Sequence, residues 1–137
     1  MAIEFLERCD TLEECYEFML AYAGQGLLSD KGSSAGSQIR YFLQRAAKAL
    51  TGLAESCTIA VAEERLESAG RYQPFISMLY RDAQDSLAAV EMVLAQPDIS
   101  SQLIDNLNAS IHLRALLTDL FLIGEVLRTR SKTAVES

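Results

Sequence analysis

The chain has 137 residues, half of them apolar and 23% charged, with two prolines, seven glycines and a net charge of −7. This composition describes one globular domain long enough to bury a core, and it excludes a disordered or collagen-like chain. A negative chain repels nucleic-acid phosphates and anionic lipid, so neither nucleic acid nor membrane is expected as a partner.

The first residues, MAIEFLER, carry no basic n-region and no apolar h-region. No apolar run approaches the roughly 18 residues of a membrane span, and a cytoplasmic location is expected. Cys9, Cys15 and Cys57 are an odd and scattered set. They suit reduced, buried thiols better than a disulfide framework. Charge is uneven: residues 1–30 hold seven acids and one base, whereas 31–54 hold Lys31, Arg40, Arg45, Lys48 and no acid.

The first helix signal is Asp10-Thr11-Leu12-Glu13, where Asp or Thr can cap and a glutamate closes a capping box. Leu12, Tyr16, Met19, Leu20 and Ala23 continue at helical spacing, and Gly24 and Gly26 end the helix. Residues 2–9 fit either a preceding turn or an extension of it. The glycine- and serine-rich stretch 24–37 has no periodicity and reads as a mobile connection. A second helix is expected from Ser37 to residue 69, burying Ile39, Phe42, Leu43, Ala46, Leu50, Leu53 and Ala54, with an irregularity near 55–58 and a stop at Gly70. Thr58, Ile59 and Val61 are β-branched, but a lone strand would have no partner, so 57–62 is assigned to the helix.

A third helix begins at Gln73-Pro74, with proline at the first helical position, and ends at Gln96-Pro97. Asp98 or Ser100 caps a fourth, which carries Leu103, Leu107, Ile111, Leu117, Leu120, Gly124 and Leu127 on one stripe. The expected fold is all-α: a single-domain antiparallel four-helix bundle over residues 1–128 with a flexible tail at 129–137.

The stretch GQGLLSDKGSS, residues 24–34, holds the residue types of a phosphate loop. A phosphate loop requires glycine directly before lysine and a buried strand ahead of it. Here lysine precedes glycine and a helix precedes both. What survives is an anion site at the start of the second helix, with Lys31, Ser37 and Arg40 as candidates.

His112 is the only histidine, and the residues three and four before it are Ala109 and Asn108. Without a Glu-x-x-His pair or paired cysteines, no metal or cofactor is expected. A partly buried His112 bonded within the bundle, to Asn108 for example, is the reading favoured over catalysis. Asp82 lies on the third-helix stripe; facing inward, it would need a partner such as Arg45 or Arg114.

The segment LLTDLFLIGEVL, residues 116–127, is apolar almost all round, more than one core-facing stripe requires. Either it is a central helix or its second face contacts another subunit. The favoured function is therefore non-enzymatic: a regulatory, adaptor or assembly protein acting by protein–protein contact. Phe121, Leu122, Ile123 and Val126 would join a homodimer, and the Arg40, Arg45, Lys48 row would receive an acidic partner. Two alternatives stand beside it. One is a ligand-binding bundle or small enzyme with an inter-helix pocket at Tyr41, Tyr80 and His112. The other is an anion or nucleotide site in the 24–40 loop.

Overall fold

The computed structural model of the protein describes residues 2–64 and 69–136. The described residues form one all-α domain of six helices. They are α1 (Ala2–Ala23), α2 (Ser34–Leu50), α3 (Leu53–Glu63), α4 (Ala69–Leu94), α5 (Ser101–Ala109) and α6 (Ile111–Glu136). Two of the four expected helices are thus divided, and the reasons are local. Thr51 leaves helical geometry, and Gly52 takes the left-handed conformation at φ 80°, which glycine adopts without steric cost. This separates α2 from α3 ahead of the irregularity expected at 55–58. Ser110 takes extended φ/ψ between α5 and α6, and its hydroxyl accepts from the Leu113 N–H.

α1 is one helix from Ala2, so residues 2–9 extend it and Asp10-Thr11 does not start it. Phe5 and Cys9 lengthen the apolar stripe, and both are buried with Leu12, Cys15, Met19 and Tyr22. This burial exceeds one narrow face because α1 packs against α2, α3, α5 and α6. The central helix is therefore the first one. Gly70, expected as a stop, lies inside α4, and Pro74 lies within the helix rather than at its first position. Residues 65–68 of the expected long second helix lie outside the described residues. α2 starts at Ser34, with Ser33 capping the Gly36 N–H. α5 is capped by Ser100, as one of the two expected choices. Helix continues through residues 129–136, the stretch expected as a tail.

Helix ends expose carbonyls that need donors. Neither α1 nor α4 has a basic residue in its last turn. The donors come from other helices. Ser101 of α5 donates to Tyr22 O at the end of α1. Arg8 of α1 places Nη1 2.8–3.2 Å from the carbonyls of Lys48, Ala49 and Thr51 at the end of α2. Arg40 of α2 reaches Leu94, Gln96 and Pro97 past the end of α4. The ends of α1, α2 and α4 are thereby each tied to a neighbouring helix.

The 24–33 connection is held on both sides. Leu27 exchanges two hydrogen bonds with Ser101, 2.9 Å from its N–H to Oγ and 2.8 Å from the Ser101 N–H to its carbonyl. Asp98 accepts from Ser29 at 2.7 Å and faces Lys31 at 3.5 Å. Asp30 accepts from the Ile99 N–H and from Arg40 Nε, both at 2.8 Å. Burial opposes ionisation of Asp30, but these hydrogen bonds outweigh it and hold the carboxyl below its ordinary range. Gly36 lets the loop come this close: a Cβ there would sit 2.1 Å from the Asp30 carbonyl oxygen.

Candidate interaction face

α6 presents two apolar faces. Leu116, Leu117, Leu120, Ile123 and Leu127 enter the core, with Ile123 only 3% exposed. Phe121, Leu122 and Val126 point outward at 58%, 57% and 37% exposure. Ile123 therefore leaves the expected self-association set. The other three share one groove of about 690 Å³ with Tyr72, Glu125, Thr129 and Arg130. Other exposed apolar side chains, such as Ile3, Leu28, Met92 and Ile111, are spread over four other helices and loops or the far end of α6. A contiguous apolar patch with charged residues at its border has the composition of a contact site.

The expected basic row does not stand free. Arg40 is paired with Asp30 and bonded to three carbonyls. Arg45 donates to Glu14 from both terminal guanidinium nitrogens, at 3.0 and 3.2 Å, and lies over the rings of Tyr41 and Phe42. That hydrogen-bonded pairing holds the Glu14 carboxyl below its ordinary range. It also joins the acidic first helix to the basic second one. Lys48 alone of the three is exposed, on a cleft of about 380 Å³ shared with Glu4, Glu7 and Tyr41.

The anion candidates do not converge either. Lys31 faces Asp98, the Ser37 hydroxyl donates back to Ser34 O, and Arg40 serves Asp30. Tyr41 and Tyr80 line different clefts: Tyr41 the one between α1 and α2, Tyr80 the groove between α3 and α4. His112 is half exposed and lines neither, so the three do not form one pocket. Its Nδ1 lies 3.9 Å from Asp85 Oδ2, too far for a hydrogen bond, while Asn108 donates instead to Met19 O.

Asp82 is half-buried, and neither Arg45 nor Arg114 meets it. Its neighbour is a second carboxyl, that of Asp119 on α6. Asp119 is 4% exposed, and no donor among the described residues reaches its buried Oδ2. Burial first, then the contact with Asp82, pushes the Asp119 carboxyl up to about 8. The signal in the sequence was an aspartate inside an apolar run, three residues from Leu116 and four from Ile123.

The three thiols are buried and free. Burial pushes Cys9 and Cys57 up to about 12 and Cys15 to about 11, which suppresses the nucleophilic thiolate. Among the described residues, no group of three or more His, Cys, Asp or Glu gathers to hold a metal ion, and no helix is long and apolar enough to cross a membrane. No known protein family, curated protein or solved structure matches the chain.

Proposed function

We propose that this protein acts through protein–protein contact, in a regulatory, adaptor or assembly role in the cytoplasm, and that its working form is a homodimer joined across α4 and α6. The observation that carries the reading is the outward face of Phe121, Leu122 and Val126 over a groove of about 690 Å³. Fully burying a large apolar side chain contributes about 1.5–3 kcal/mol, and with 58%, 57% and 37% still exposed each of the three contributes roughly half of that when covered. The border suits a two-fold contact, in which the same patch meets itself. Glu125 and Arg130 line the groove with opposite charges, so Glu125 of one copy can face Arg130 of the other. The basic row is a poorer contact surface, because Arg40 and Arg45 are committed inside the fold. Sedimentation of the wild type beside Leu122→Asp tests the reading: a dimer that this substitution reduces to a folded monomer supports it, and a monomeric wild type rejects it.

A further inference from the structure

We propose that Asp82 and Asp119 form a proton-held latch on the seam between α4 and α6: one proton shared between them keeps the seam closed, and its loss loosens the face that Phe121, Leu122 and Val126 present. The inference rests on the homodimer reading, because it assigns that face its regulation.

The geometry places the pair on the seam itself. α4 and α6 pack together, and Ser86 of α4 donates to His112 O of α6 at 3.0 Å near one end of the contact. Tyr72 and Thr129 line the same groove near the other end. Asp82 and Asp119 lie between these points. Leu122 and Val126 follow Asp119 by three and seven residues, so all three fall along one side of α6.

Neither carboxyl takes part in a salt bridge among the described residues. Among the described residues, Asp82 is the one charged group that acts on Asp119. On α4, Asp85 faces His112 of α6, one turn away from the pair. α1 and α5 also pack on α6. On α1, Asp10 is paired with Arg128 of α6 at 3.2 Å, and on α5, Asp105 is exposed. Two neighbouring carboxyls, one of them 4% exposed, cannot both ionise cheaply, so one keeps its proton and donates it to the other. When that proton leaves as hydroxide or buffer base takes it up, two like charges face each other across the seam. The repulsion acts on the two helices that build the apolar groove.

The test is equilibrium sedimentation and thermal melting of the full chain at about pH 6 and about pH 9, for wild type, Asp119→Asn, Asp82→Asn and Asp85→Asn. The amides in the first two keep shape and hydrogen bonding but remove one titrating charge. Asp85→Asn is the control, at a carboxyl one turn away from the pair. The wild-type dimer is expected to weaken by about tenfold or more towards the higher pH, with a falling melting temperature. Asp119→Asn and Asp82→Asn should flatten both profiles, and Asp85→Asn should retain them. A wild-type dimer with equal affinity at both pH values overturns the latch while leaving self-association standing. A monomer at every pH overturns self-association, and the melting profiles then decide the shared proton: equal slopes in wild type and Asp119→Asn overturn it as well.

Discussion

Arg40 Nε donates to Asp30 Oδ2 across 2.8 Å, and this pair ties the connection between α1 and α2 to the end of α4. The same guanidinium satisfies the Leu94, Gln96 and Pro97 carbonyls. Removing it takes the cation from an aspartate whose side chain is 8% exposed, leaving it the Ile99 N–H, and takes the donor from three carbonyls. Arg40→Ala should therefore destabilise the fold by about 2–4 kcal/mol, measured by urea unfolding. Arg40→Lys should recover only part of this loss, because an ammonium cannot reproduce the planar fork. A loss under about 0.5 kcal/mol would mean that the arginine is a surface residue in solution.

Asp30 also contributes to the stability of the fold against acid. Its folded carboxyl lies below its ordinary value of 3.8. A depressed value means that the folded chain favours ionisation, so the contribution is present above pH about 4 and is lost as pH falls through the folded value. Asp30→Asn should lower stability at neutral pH and remove part of the acid-side slope below about pH 4, as read by circular dichroism. An unchanged slope would assign acid unfolding to other carboxyls.

Gly36 is needed for space rather than for an unusual backbone angle. A methyl group there meets the backbone of Asp30 at 2.1–2.8 Å, and backbone cannot move aside as a side-chain tip can. Gly36→Ala should cost about 1–3 kcal/mol although alanine is the better helix former. Gly70→Ala, in the first turns of α4 with open space around it, is the control. It should be neutral or stabilising by up to about 1 kcal/mol.

The thiols give a test of burial that needs no substitution. With Cys9, Cys15 and Cys57 buried and pushed up to about 11 to 12, a thiol reagent at mildly alkaline pH should modify the native chain roughly a hundredfold or more slower than the unfolded one. One thiol reacting at the unfolded rate would show that its helix opens readily.

Which parts were legible from sequence follows from the range of the interactions. Local signals did well. Gly24 marked the end of α1, Ser100 its cap position for α5, and Gln96-Pro97 the end of α4. Apolar spacing identified most of the α2 core, including Ile39, Leu43, Ala46 and Leu50. It also identified the excess apolar surface of α6, but it did not separate Ile123 from Leu122, since adjacent residues on a helix differ by only about 100°. The break at Gly52 was hidden because Leu50, Leu53 and Ala54 all remain buried across it. Arg8 supports that break from more than forty residues away, and no local pattern encodes such a partner. A separation of 37 residues likewise hid Asp119 from Asp82. The basic row was visible as spacing, yet its meaning depended on Asp30 and Glu14, which only the folded chain brings to it. The charge asymmetry along the chain was real, and it is used largely inside the fold.

The most direct test of the central claim is sedimentation velocity over a concentration series at about pH 6, comparing wild type with Leu122→Asp and Phe121→Asp. A wild-type species of twice the 15.1 kDa chain mass is expected, reduced to a single chain by either aspartate with unchanged helical content. A wild type that remains at 15.1 kDa throughout, or a dimer that both substitutions leave intact, would contradict it.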